Sequence, residues 1–333
     1  MLRILSLAVL SFACSALHAE ATLAGTSFGT YVSGPKVTGA DLVGKVVLFE
    51  YWGVHCPPCL ASIPHLAEFQ NKYGRDNFVV VANHCQREPV DLVMSTWSGK
   101  GGGQQISVVA DGNLTGANVS GIPHCFLFNH EGRLVYDGSP SEVEGKLADA
   151  MKASPGALIA GRDFKKLGKS ATALAAMKGG WASTLKSLRT AAAGADADAK
   201  SEADFLVERA TSYCTNALAR IQGEREDDPA AAMGDVNRMA ALLKGDELGK
   251  PFDDLQKEFK ADKAMQAELK AADALSAICA EADKIGLGSD PEAAKQRKQA
   301  VANISGGLQS LQKRFPDTAA SRKAAKLQTT WGL

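Results

Sequence analysis

Two cysteines separated by two prolines, Cys56-Pro-Pro-Cys59, follow closely on the apolar run Val46–Phe49 and lead into a helical pattern of Leu60, Ile63, Leu66 and Phe69. A C-x-x-C pair at a strand-to-helix junction reads as a thiol–disulfide redox centre. The thiolate is the working nucleophile, and a helix start offers unpaired N–H groups and a dipole that keep Cys56 ionised. Cys59 falls one helical turn on, close enough to attack a mixed disulfide at Cys56. It must lose its own proton while more buried, which calls for a base. Glu50, six residues before Cys56 in an apolar strand, is the candidate. Desolvation there raises a carboxylate's pKa toward neutrality. Zinc is the main rival for such a pair, but it would want a second ligand pair at similar spacing, and none follows.

The elements that must hold these residues are legible around them. Residues 22–45 read as an irregular or short-stranded lead-in, and Val46–Tyr51 as a central strand covered on both faces. A helix follows to about Tyr73, with a kink expected at Pro64. Residues 77–82 predict a second buried strand, Pro89–Ser98 a helix, and Ile106–Ala110 a short strand. Leu114–Val119 reads as a turn or short helix, Cys125–Phe128 and Arg133–Tyr136 as a hairpin, and Pro140–Lys152 as a closing helix. That order is an α/β sandwich. Beyond Ser154-Pro-Gly156 the chain turns Ala-, Lys-, Asp- and Glu-rich. Helical periodicity recurs over 200–222, 230–244, 262–285 and 291–314, with breaks that predict antiparallel helix pairs.

The stretch Phe49-Glu-Tyr-Trp-Gly-Val-His-Cys-Pro-Pro-Cys59 resembles the thioredoxin family's signature, and Gly121-Ile-Pro123 resembles its Gly-Ile-cis-Pro loop. The extra strand and helix over about 88–118, the CPPC sequence and an exported N-terminus are similar to the TlpA-like branch, over roughly residues 25–152. The resemblance implies a thioredoxin-like domain with Cys56 attacking, Cys59 resolving, Glu50 as buried proton acceptor, Trp52 supporting the loop and Pro123 in cis. It implies no organic cofactor and no metal. Two positions depart from the pattern. His55 replaces the usual Trp before the first cysteine, and Ser62 stands where some TlpA-like reductases carry an acid. A cationic His55 would stabilise the Cys56 thiolate and make the pair more oxidising; a solvated surface histidine is the other reading.

Besides Cys14 in the leader-like stretch, four cysteines lie outside the pair. Cys85 after His84, and Cys125 after His124, end up at the same end of the sheet. A second thiol pair or transient metal site competes there with two buried free thiols, and His124 is a candidate modulator. Cys214 and Cys279 lie on amphipathic helices; a structural disulfide between them and two free core thiols are both open. Phe315-Pro-Asp-Thr318 resembles a helix start of tetratricopeptide arrays, with Asp317 or Thr318 as N-cap.

The 333 residues predict two domains, a thioredoxin-like one over 22–152 and an all-α, tetratricopeptide-like one over 153–333. Lys and Arg (37) balance Asp and Glu (37), which removes the electrostatic case for nucleic acid or an anionic membrane surface. Met1–Ala19 has one positive charge, a short apolar run and small residues at its end, the layout of a signal peptide cleaved after Ala19 or Ala21. Ser11-Phe-Ala13 before Cys14 is a poor lipid-attachment motif, and no later apolar run approaches membrane-spanning length. The expectation is a periplasmic thiol–disulfide oxidoreductase acting on protein thiols or disulfides, with a redox partner protein and a helical half that docks partners. A scaffold using only the helical half is the alternative. A peroxiredoxin-type peroxidase is discounted, because Gly53 stands where its threonine belongs.

Overall fold

The computed structural model describes residues 20–103, 105–226, 228–287 and 294–333; the expected leader over 1–19 and the start of the helix expected at 291–314 fall outside them. Chain order begins β1 Thr22–Ser27, β2 Thr30–Ser33, α1 Gly39–Leu42, β3 Val46–Trp52, α2 Pro57–Tyr73, β4 Phe78–His84 and α3 Val90–Gly99. It continues β5 Ser107–Ala110, β6 Asn113–Thr115, β7 His124–Phe128, β8 Leu134–Gly138 and, after a 3₁₀ turn at Pro140–Glu142, α4 Val143–Ala153. Every residue of β3 and β4 is buried, as their apolar runs Val46–Phe49 and Phe78–Ala82 require in strands covered on both faces. The six-stranded sheet runs β2-β5-β4-β3-β7-β8, with β3, β4 and β5 parallel and β7 and β8 antiparallel.

Side-chain alternation splits this sheet into two apolar layers. Val46, Leu48 and Trp52 share one with Ile63 and Leu66 of α2, Val93 and Trp97 of α3, and Leu147 of α4. Val47, Phe49 and Tyr51 share the other with Leu42 and Leu114. Here the expectation for 114–119 holds only in part: Ala117 N–H closes a turn onto the Leu114 carbonyl at 3.1 Å, but the stretch begins in a strand. Leu114 lies on β6, which pairs antiparallel with β1, and its N–H donates to the Tyr51 hydroxyl at 2.9 Å. A three-residue strand is too short to show a period, so burial of Leu114 against the sheet decides its state.

Helix α2 starts at Cys56 as N-cap, with Pro57 and Pro58 in the first turn, where missing N–H groups cost nothing. It continues across Pro64 to Gly74, whose φ of 70° ends it.

The second half is helical throughout its regular elements: α5 Gly168–Ala175, α6 Trp181–Ala192, α7 Ala197–Glu224, α8 Pro229–Leu242, α9 Lys250–Ala261, α10 Lys263–Lys284, α11 Lys298–Arg314 and α12 Ala319–Trp331. Thr318 caps α12, its hydroxyl accepting from Ser321 N–H at 3.1 Å. Two apolar cores form here. One joins α5 through α9 around Trp181, Leu206, Ile221 and Phe252; the other joins α10, α11 and α12 around Leu275, Leu308 and Trp331. Cys214 lies in the first core and Cys279 packs against the second, and no disulfide joins them. The stapled-helix expectation is therefore corrected: the two helices carry their cysteines into different packing layers. Among the described residues no helix is long and apolar enough to cross a membrane.

Candidate active site

The apolar run of β3 delivers the chain to the edge of the sheet at Trp52, and Gly53–His55 turn it into α2. Cys56 accepts the Cys59 N–H on its sulfur at 3.2 Å, and the two sulfurs are joined as a disulfide across a Cα separation of 5.2 Å. Cys56 retains 7% exposure while Cys59 has none, so an incoming thiol reaches only the first sulfur. The Ile122–Pro123 peptide is cis, and the Ile122 carbonyl oxygen lies 3.5 Å from Cys56 Sγ. The loop before β7 thus lies against the reactive sulfur, which places Pro123 where the resemblance expects it.

Glu50 shares the sheet face of Leu48 and Trp52 with the inner side of α2, and none of it is exposed. Burial pushes its carboxyl up to about 8, only partly opposed by a hydrogen bond from Ser62 Oγ to Oε1 at 2.9 Å. The same Ser62 hydroxyl lies 2.8 Å from the Cys59 carbonyl, so one side chain bridges the carboxyl and the second cysteine's turn. Glu50 Oε2 is buried with no partner. A carboxyl of this kind takes up or gives away a proton near neutral pH.

Trp52 is fully buried, 5.2 Å from both the Trp97 and His84 rings. It packs between α3 and the end of β4. His84, at the end of β4, is also fully buried; Val54 N–H points to its Nε2 at 3.4 Å, and its Nδ1 has no partner. Desolvation lowers its pKa, against a smaller opposing pull from Asp111. The imidazole beneath the loop therefore stays neutral and acts as an acceptor.

His55 is turned outward. Its side chain is 65% exposed and Nε2 lies 3.0 Å from Glu88 Oε1. Its backbone N–H donates to Gln86 Oε1 at 2.9 Å. A Cβ on Gly53 would come within 2.2 Å of the Gln86 side chain, so a larger residue there would displace the glutamine that accepts the His55 N–H. His124 sits at the start of β7, Nε2 2.6 Å from Asp137 Oδ1 and its ring 4.9 Å from that of Phe126. Cys85 and Cys125 remain thiols, on strands separated by β3. Cys125 is opposite Glu50 in the sheet register, and burial, reinforced by the Glu50 charge, pushes its thiol far up. Such a thiol is a poor nucleophile.

Sequence reasoning thus brings Glu50, Trp52, Cys56, Cys59 and Pro123 to one place. It noticed Ser62 only as a missing acid and His84 only as a neighbour of Cys85. It missed Gln86 altogether, since a glutamine in a loop carries no spacing signal. The one available hint was that His84-Cys85 ends a parallel strand at this end of the sheet.

The redoxin family model matches residues 22–153. The thiol–disulfide oxidoreductase ResA of Bacillus subtilis is 27% identical over 124 residues, covering 36% of this chain and 66% of that protein. The chain spans no more than about two thirds of the ResA relatives it matches, 59% and 61% for those of Halalkalibacterium halodurans and Bacillus thuringiensis. The thiol–disulfide oxidoreductase YkuV of Bacillus subtilis is 32% identical over 105 residues, covering 30% of this chain and 70% of that protein. A solved thiol:disulfide interchange protein from Chlorobium tepidum TLS is 22% identical with a TM-score of 0.32, covering 40% of this chain and 98% of that one. By its match to YkuV and to the redoxin family model, the chain belongs to the redoxin-type thiol–disulfide oxidoreductases.

Proposed function

We propose that this protein is an exported thiol–disulfide oxidoreductase that exchanges disulfides with protein substrates through Cys56 and Cys59. The observation that carries this reading is the joined pair at the start of α2, with the first cysteine slightly exposed, the second not at all, and an unpaired buried carboxyl oxygen on the same sheet face. In the reducing direction the Cys56 thiolate attacks a substrate disulfide, forming a mixed disulfide and releasing one substrate thiolate. Glu50 takes the Cys59 proton, and the Cys59 thiolate attacks Cys56 Sγ. The Cys56–Cys59 disulfide forms, the second substrate thiolate leaves, and two electrons have moved to the substrate. The oxidising direction is the same sequence reversed. A redox partner protein resets the pair.

The redox domain is assigned to 22–152 and the helical domain to 153–333, with the helical part docking or positioning partners. Export rests on the leader-like composition of Met1–Ala19. Both parts are open to test. Cys59→Ala expressed in a periplasm is expected to accumulate mixed disulfides that reducing agent releases, and Cys56→Ala/Cys59→Ala to accumulate none. N-terminal mass analysis of the periplasmic protein should begin at Glu20 or Thr22. Absence of adducts in Cys59→Ala sinks the exchange reading; an uncleaved cytoplasmic chain sinks export.

A further inference from the structure

A cavity of about 490 Å³ opens where the two halves of the chain meet, and none of its lining residues falls within 46–73, the stretch that carries the cysteine pair. Its walls come from the α1–β3 loop, the α2–β4 loop, the 157–158 segment and helices α7 and α8. That volume lies within the range of small-molecule sites.

The charges around it do not cancel locally. Asp41 accepts from Thr38 at the start of α1. Asp76 accepts from the Tyr213 hydroxyl at 2.6 Å and from Arg238 at 3.1 Å. Asp235 and Glu224 both pair with Arg220. The wall carries five cations, Lys45, Arg75, Arg209, Arg220 and Arg238, against four carboxylates, and the first three of those cations make no ion pair among the described residues. Arg75 donates to the Gln105 carbonyl and the Ser107 hydroxyl. Arg209 donates to the carbonyls of Ala157 and Leu158. Among the described residues no carboxylate lies within ion-pair distance of Lys45, Arg75 or Arg209. Burial, and next the positive Arg75, push Lys45 down to about 8, and burial pushes Arg75 down to about 10. Asp76 and Asp41 pull Lys45 the other way, and Asp41 does so for Arg75, which leaves the wall one net positive charge and two desolvated cations that gain from an entering anion.

We propose that this cavity binds a small oxyanion, a phosphate or carboxylate group, on Lys45, Arg75 and Arg209. Guanidinium forks match both kinds of oxygen pair, and Lys45 supplies a point charge beside them. Because β-sheet loops and the helices α7 and α8 both form the wall, a bound anion ties the two halves together.

The test is a thermal-shift titration of the full chain with inorganic phosphate and, separately, with succinate, against sodium chloride at matched ionic strength. At least one is expected to give a saturable rise in Tm that chloride does not. Lys45→Met and Arg75→Gln should each weaken the apparent affinity at least tenfold, while the exposed Lys186→Gln leaves it unchanged. Phosphate acting alone identifies a phosphoryl ligand, and succinate alone a carboxylate one. Equilibrium dialysis of the wild type with the active anion, expected to give one site per chain, keeps the proposal testable if a variant does not fold. No saturable rise with either anion, a rise that survives in either variant, or no bound anion in dialysis overturns it.

Discussion

At the residue scale the account turns on a carboxyl held away from water. Glu50 carries a folded pKa of about 8 against an ordinary 4.5, so the native state binds this proton more tightly than the unfolded chain. Its contribution to stability is fully present below about pH 4.5 and is lost as pH rises through about 8. Glu50→Gln, which keeps the shape and the Ser62 contact, should flatten the stability profile across that window and make the variant the more stable protein above pH 8. It should also slow the resolving step about 10²-fold, the lower end of what a positioned base supplies. Urea melts at several pH values check the first claim, and stopped-flow release of a mixed disulfide the second. His84 works in the opposite sense. Its lowered pKa means that the unfolded chain protonates first, so stability falls as pH drops below about 6.5. His84→Leu should abolish that acid-side loss while leaving Val54 N–H without its acceptor, a cost of about 1–3 kcal/mol at neutral pH. For His55 the pairing with Glu88 is solvent-exposed and worth at most about 1 kcal/mol. His55→Gln should therefore shift the reduction potential of the pair by less than about 30 mV in a glutathione titration.

At the element scale, what the sequence made legible were the long, strongly patterned elements. The fully buried β3 and β4, the proline-started α2 and the long α7 and α10 stand within a few residues of where their patterns put them. What failed to show were short elements whose state is set by neighbours. β6 is three residues long and α5 and α6 are short helices in Ala-rich stretches, whereas α9 carries Phe252, Leu255 and Phe259 at helical spacing, masked by the breaks at Gly249 and Pro251. The site followed the same rule: residues fixed by motif were found, whereas Ser62, His84 and Gln86 act through contacts that cross 12 to 31 positions of chain. Short elements can still be critical. Gly29, next to β2, has a φ of 62°, and a Cβ there would meet the Ala110 carbonyl oxygen at 2.2 Å. Gly29→Ala combines left-handed strain with a clash against backbone, so it should cost at least about 2 kcal/mol and lower Tm by several degrees in calorimetry.

At the scale of the whole molecule, the helical half is joined to the redox half by polar contacts rather than a shared apolar core. Asp76 gathers Tyr213 and Arg238, Asn77 Oδ1 accepts from Ala157 N–H, and Lys326 reaches Asp91 at 2.8 Å. Burial and the Asp76 charge push the Tyr213 hydroxyl far up, so it stays a donor at every physiological pH. Asp76→Ala leaves the largely buried Tyr213 hydroxyl without its acceptor and Arg238 with Asp235 as its one carboxylate partner among the described residues. A loss of about 1–3 kcal/mol and faster proteolysis in the 154–167 connection are the expected results. This junction serves the chemistry only as a platform; the catalytic claim rests on one sulfur. Its most direct measurement is dithiothreitol-driven insulin reduction by the wild-type protein beside Cys56→Ser. The account predicts turnover in the wild type and none above background in Cys56→Ser. A wild type without turnover, or a Cys56→Ser variant that retains it, would contradict the account.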